Sequence, residues 1–373
     1  MTGKERVALA MQGKKPDRTP LMCQVSYGYL ASKVAKDPMR FWYTPEGMVD
    51  ALIEAAERYH FDGILINKST VTPGQLDQLV SLSELGDGEK MAVWRDGRQT
   101  RILPDTDPVE MKRIGIDTRP ETIDELNLDA IRVPEEGSQP EYSCNVLKAV
   151  LNAKGKELSV HGEIVSNFSS FLYGFRNMEC GLMALLDDPE KAKEAIERLN
   201  QISIFQAREQ CRLGIDALKL SCAWAGAGLI SRDMYAEFVL PTKKVLIDTI
   251  HKEFNIPVYI HTCGAIGDRL DLMAETGADG LECLDPPPIG TCDLQQACVT
   301  LGQKVFIKGN LDSANEMRNH TPQEVFETAR KRLEIGMNHK GGYILSSACS
   351  VAPDVPEENM RVLHEAIKQY GYY

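Results

Sequence analysis

Long apolar runs are missing from this 373-residue chain. None approaches the roughly 20 residues that a membrane helix requires. Surplus basic charge is missing too: Asp and Glu number 54 against 42 Lys and Arg, a formal net charge of -12. A general nucleic-acid binder needs a basic footprint, and an anionic membrane surface would repel this chain. The opening Met1-Thr2-Gly3-Lys4-Glu5-Arg6 leads into an amphipathic stretch and not into the apolar core of a signal peptide. There is no internal repeat and no low-complexity segment. No Gly-x-Gly-x-x-Gly turn follows the first apolar run, which weakens the alternative of a doubly wound dinucleotide-binding sheet.

What is present is a globular composition, 43% hydrophobic and 26% charged. Ten cysteines without a secretion signal point to reduced thiols and a cytoplasmic compartment. Most of them are expected to be small buried hydrophobes. Eight apolar runs predict strands: Pro20–Val25, Gly63–Asn67, Leu158–Glu163, Ala217–Cys222, Pro257–Thr262, Gly280–Leu284, Val305–Gly309 and Tyr343–Ala348. Helical patterns separate most of them, including Pro45–Tyr59, Pro189–Gly214, Ser231–Phe254, Ala265–Thr276, Cys292–Leu301 and Thr321–Gly336. Continuous apolar strands between amphipathic helices indicate a parallel sheet covered on both faces. Eight such units predict an α/β fold, a (β/α)8 TIM barrel, as a single domain over 1–373. After the second strand the rhythm breaks. Residues 69–156 are too many for a simple βα unit, and Asp96-Gly97 between two alternating arms signals a β-hairpin. This insertion reads as an excursion on the barrel rim, where loops shape the substrate mouth.

Barrel enzymes carry their chemistry at the C-terminal ends of the strands. The most telling residues there are His261 and Cys263. Side chains two apart on a strand share a face, so both can reach one ion. Cys349 ends the last predicted strand, and an imidazole with two thiolates suits zinc. Glu163 and Glu282 are candidate catalytic carboxylates, because a carboxylate on a barrel strand rarely faces the apolar helix layer. Cys283, one residue beyond Glu282, is expected to face the other way, into the core. Tyr27, Cys222, Trp224, Asp285 and Asn310 fall at strand ends or on the rim as candidate substrate contacts.

Several segments together resemble the uroporphyrinogen decarboxylase superfamily over nearly the whole chain. They are the helix Lys4–Gly13, Gly228–Ser231 running on to Tyr235 and Phe238, Phe306–Asp312, and Val355–Asn359. The resemblance implies the (β/α)8 barrel. True decarboxylases of the family carry Arg-Gln-Ala-Gly-Arg after the first strand. Here the segment is Gln24-Val25-Ser26-Tyr27-Gly28-Tyr29-Leu30, without arginine, so porphyrinogen decarboxylation is not expected. His261-Thr262-Cys263-Gly264 and Ala348-Cys349-Ser350-Val351-Ala352-Pro353 resemble the zinc-containing, corrinoid-dependent methyltransferases of the superfamily. That branch implies His261, Cys263 and Cys349 as zinc ligands, with Glu282 or Asp285 as possible fourth ligands. It implies methyl transfer between a small donor or acceptor and the cobalt of a corrinoid (methylcobalamin or cob(I)alamin) as co-substrate. The substrate is a methoxylated aromatic or other methyl donor, or a thiol such as coenzyme M. The long excursion and the rim aromatics favour demethylation, whereas the late cysteine resembles the thiol-methylating members. The chain lacks the Asp-x-His-x-x-Gly corrinoid signature, so a partner corrinoid protein is expected to carry the cofactor. The superfamily contains monomers and dimers, so a homodimer is possible. A lyase of the same fold and a non-catalytic corrinoid-binding subunit are the alternatives.

Overall fold

The computed structural model describes residues 1–111 and 117–373. The predicted excursion 69–156 includes 112–116, which lie outside the described residues. In chain order the strands are β1 (Gly63–Ile66), β2 (Leu79–Gly86), β3 (Glu89–Trp94), β4 (Gln99–Ile102), β5 (Val109–Glu110), β6 (Ser159–Val165), β7 (Ala217–Ser221), β8 (Val258–Thr262), β9 (Gly280–Cys283), β10 (Phe306–Leu311) and β11 (Tyr343–Ser347). Seven of them form one curled parallel sheet in the order β1-β6-β7-β8-β9-β10-β11. Runs such as Tyr343-Ile344-Leu345 are buried throughout, because barrel interior and helix layer cover opposite faces. Helices supply the crossovers that parallel neighbours need. That of Pro322–Gly336 opens on a capping box, Thr321 with Glu324, and a first-turn proline.

The first predicted strand, Pro20–Val25, is not a regular strand. It is extended chain lying between the two ends of the sheet. Leu21 and Val25 form isolated parallel bridges to Leu345 and Val351 on one side, and Asp62 N donates to Leu21 O on the other. A full ladder cannot form here for a local reason. Pro20 has no N–H, and the Leu21 N–H goes to the Asp62 carboxylate at 2.8 Å. Asp62 is therefore the clasp of the barrel. It also receives Arg6 Nη1 at 2.5 Å and both terminal nitrogens of Arg18, at 2.9 and 3.0 Å.

β2 to β5 form a separate antiparallel sheet in chain order. β3 and β4 turn at Asp96-Gly97, where Gly97 takes φ +83°. Trp94 Nε1 donates across the pair to Thr100 Oγ1 at 2.9 Å. The chain beyond β4 passes the barrel opening: Asp105, Thr106 and Asp107 line one cavity with Ser26, Tyr27 and Ser350. Among the described residues no helix is long and apolar enough to cross a membrane.

Deep in the barrel, His161 is fully buried and hydrogen-bonded to Ser159 Oγ and Tyr259 Oη at 3.0 and 3.1 Å. Burial, then the nearby Lys308 charge, pushes its pKa from 6.5 down to about 3. The unfolded chain therefore takes the proton first. Stability should fall as pH drops below 6.5, by about 2 kcal/mol at pH 5 from this group alone. Urea unfolding of the protein and of His161→Gln across pH 5–7 checks this; an equal slope in both would refute it. For the clasp, Asp62→Ala leaves Arg6 and Arg18 without their shared anion and should cost about 3 kcal/mol. The same unfolding measurement reads it, and a loss below half a kcal/mol would remove Asp62 from this role.

Candidate metal centre

The parallel register builds the site. Ser221 stands beside His261, His261 beside Glu282, and Glu282 beside Lys308. One strand over, Glu163 stands beside Lys219. Period-two alternation sends Glu163, Lys219, His261, Glu282 and Lys308 into the barrel interior, where their polar ends meet. Glu282 is completely buried at the centre. Its Oε2 lies 2.8 Å from His261 Nδ1 and 3.0 Å from Lys219 Nζ, and its Oε1 contacts Lys308 Nζ. Burial alone would raise this carboxyl, but Lys219, Lys308 and His261 together hold it well below the usual range. It is an anion fixed by three partners.

With Nδ1 occupied, His261 presents Nε2 to the barrel mouth. There it lies 3.1 Å from Cys263 Sγ and 4.0 Å from Cys349 Sγ, and the two sulfurs are 3.4 Å apart. A tetrahedral zinc site has ligand–ligand edges of about 3.5–3.8 Å, given Zn–S of about 2.3 Å and Zn–N of about 2.0 Å. The three donors thus fit zinc in identity and in spacing. Hydrogen bonds from neighbouring thiols lower the Cys349 pKa, the direction a ligand thiolate needs. Cys263 follows the last residue of β8, and Gly264 turns the chain at φ +77°. Gly264 N donates to Asp285 Oδ2 at 2.7 Å, which ties the two strand-end loops together.

Other sequence-predicted residues divide. Glu163 lies beside the centre near the mouth, where it accepts from Asn67 Nδ2 at 2.5 Å and lies 3.6 Å from Lys219. Tyr27 sits in the mouth cavity, of about 300 Å³, with its ring against Phe41 and Trp42. Burial, then the Glu163 and Asp107 charges, raises its hydroxyl pKa well above 10. Trp224 lies on the rim and donates to Tyr173 Oη at 2.6 Å. Asn310 is buried and donates to Leu284 O at 2.8 Å. Cys222 is not brought to the mouth: it is fully buried near Lys243 and Tyr235. Glu282 is not free to ligate or to carry protons, because its oxygens are taken by His261 and the two lysines. The expectation for Cys283 holds for its burial, which is complete, but not for its direction. Its φ of +87°, followed by +54° at Leu284, breaks the strand's alternation and turns the thiol back toward Cys263 and Asp285. Among the described residues, Cys263, Cys283 and Asp285 form a second triad with ligand atoms within 4.8 Å of one another.

Sequence reasoning missed Lys219 and Lys308. Their signal was available: a lysine inside Ala217-Leu218-Lys219-Leu220 or Phe306-Ile307-Lys308 must point to the barrel interior, since the helix layer is apolar. A cavity of about 390 Å³ lies between Val34 and Glu57 on the outer helices, away from this chemistry.

Comparison with known proteins gives the same frame. Methylcobamide:CoM methyltransferase MtbA of Methanosarcina acetivorans is 26% identical over 226 residues, which span 61% of this chain and 62% of the relative. The protein of that name from Methanosarcina mazei is 25% identical over 380 residues, covering 100% of this chain and 99% of the relative. A solved structure described as a methyltransferase from Methanosarcina mazei shares the fold, with a TM-score of 0.74 at 16% identity over 99% of both chains. The family description "Uroporphyrinogen decarboxylase (URO-D)" matches residues 2–76 and 108–370. The interval it passes over holds β2, β3 and β4. The chain belongs to the uroporphyrinogen decarboxylase (URO-D) family.

Proposed function

We propose that this protein is a zinc-dependent methyltransferase, moving a methyl group between a small substrate and the cobalt of a corrinoid carried by a partner protein. The observation that carries the reading is the triad itself: His261 Nε2, Cys263 Sγ and Cys349 Sγ within 4.0 Å at the barrel mouth. The names of the relatives above support the class of reaction. When bound at this triad, zinc supplies a positive charge that acidifies a thiol or polarises an ether oxygen.

The remaining roles belong to the chain. Glu282 holds His261 in the tautomer that leaves Nε2 free. Lys219 and Lys308 keep Glu282 ionised in a dry interior. Glu163, near the mouth, orients the substrate or exchanges a proton with its leaving group. Tyr27 walls the mouth cavity, and Trp224 stands on the rim. The cavity also carries Asp105 and Asp107. These carboxylates disfavour an anionic ligand such as the sulfonate of coenzyme M, and favour a neutral or cationic methyl donor. A decarboxylase reading finds no support at the segment 24–30, which has no arginine to hold carboxylates.

Metal analysis should find about one zinc per chain. His261→Ala and Cys349→Ala should lose it, and methyl transfer to cob(I)alamin, followed by its visible spectrum, should fall more than about 100-fold. Neutral and cationic donors should outperform anionic ones; full activity of Cys349→Ala without zinc sinks the proposal. In Glu282→Gln the triad remains but its anchor is neutral. Zinc affinity, read by chelator competition, should weaken by about 10- to 100-fold, and an unchanged affinity would deny Glu282 this role.

A further inference from the structure

Among the described residues, the antiparallel sheet ends at β2, whose outer edge has no strand beside it. An unpaired edge presents a row of free N–H and C=O groups to any strand that fits. This edge lies in the interval that the family match passes over, which marks it as this chain's addition to the barrel. Cross-strand partners share a face, so Leu82 lies on the face of Ala92 and Thr100. There Ala92 and Thr100 are buried, together with Trp94 and Ile102, and the Trp94 ring packs on Tyr43 at 4.8 Å. At β2 the same face runs out from under the body of the protein. Leu82 is 40% exposed, and its strand neighbours Val80 and Leu85 are 62% and 50% exposed. Leu79–Gly86 holds no lysine and no proline, the residues that usually guard such an edge. Its one charge, Glu84, is answered within the chain by Lys90 at 3.0 Å.

We propose that β2 pairs with the β2 of a second copy of this chain, antiparallel about a two-fold axis at Leu82, so that a homodimer shares one eight-stranded sheet. In that register the segment complements itself. Leu82 meets the partner's Leu82, Ser81 meets the partner's Ser83, and Leu79 meets the partner's Leu85. Glu84 lies opposite the partner's Val80, and the two carboxylates stand about 14 Å apart along the strands. Moving the axis to Ser83 would set Leu82 against a carboxylate, and moving it to Glu84 would set the two carboxylates face to face. Register shifts bound the regular part of β2, between Leu79 and Ser81 and between Glu84 and Gly86. They stop the pairing from spreading, and a two-fold contact uses up both edges, so association closes at two. An edge of eight residues is small for a specific interface. The dimer is therefore expected to form at micromolar concentrations.

Sedimentation velocity of the full-length protein from about 1 µM to about 100 µM reads this directly. The wild type should pass from monomer to dimer over that range. Leu82→Lys and Leu82→Glu each place like charges face to face on the axis, and each should weaken the dimer by more than about 10-fold. Mixed in equal amounts, the two variants should form the dimer again, because lysine then meets glutamate. That recovery also shows that both variants are folded. A wild type that stays monomeric throughout would overturn the proposal. So would a dimer indifferent to Leu82→Lys, a mixture that stays monomeric, or growth into larger assemblies.

Discussion

Inside the barrel a single carboxylate, Glu282, is completely removed from water and answered by two lysines and an imidazole. An isolated charge in such a place would cost several kcal/mol. Here the partners come from the two adjacent strands, β8 and β10, and from β7 one strand further, all in fixed register, so the cancellation of charge and the alignment of β7, β8, β9 and β10 are the same fact. Slipping any of these strands by one residue would turn its charged side chain into the apolar helix layer. The interaction therefore specifies the barrel as much as it prepares the site. It also sets the one property the triad most needs, an imidazole whose outward nitrogen is free and whose ring cannot rotate.

Around this rigid centre the strand ends are where the structure departs from regularity. Gly264 turns out of β8, Cys283 and Leu284 twist out of β9, and Cys349 lies in the bend after β11. Each departure brings a sulfur to the same small volume. Rigid strands fix the nitrogen, and irregular ends adapt the thiols, which are the more polarizable donors. The antiparallel sheet β2–β5 lies outside this plan. Its following segment reaches back to the mouth through Asp105 and Asp107, which gives this chain its own charge pattern there.

Much of this was legible in the residues. Apolar runs of four to six residues marked every strand of the parallel sheet, because a strand covered on both faces has no polar side to show. His261 and Cys263 declared themselves by spacing, and their pairing with Cys349 came from the resemblance of the two segments to a known branch of the family. Pro20–Val25 misled: its composition is that of a strand, but Pro20 and the Asp62 side chain deprive it of the hydrogen bonds that make one. Cys283 misled for the opposite reason. Period-two alternation assumes an extended backbone, and two positive φ values cancel that assumption at the one residue where it mattered.

What the sequence by itself determined is the set of local facts: alternating strands and helices, donors of the right chemistry at strand ends, an acidic chain with no membrane-length apolar run. These depend on neighbours along the chain, and so can be read from it. What only the tertiary structure decided is which groups face one another. The demotion of Glu282 from proton carrier to anchor, the burial of Cys222, and the third thiol at the mouth all depend on partners separated by tens of residues. They depend too on backbone angles that side-chain composition does not reveal.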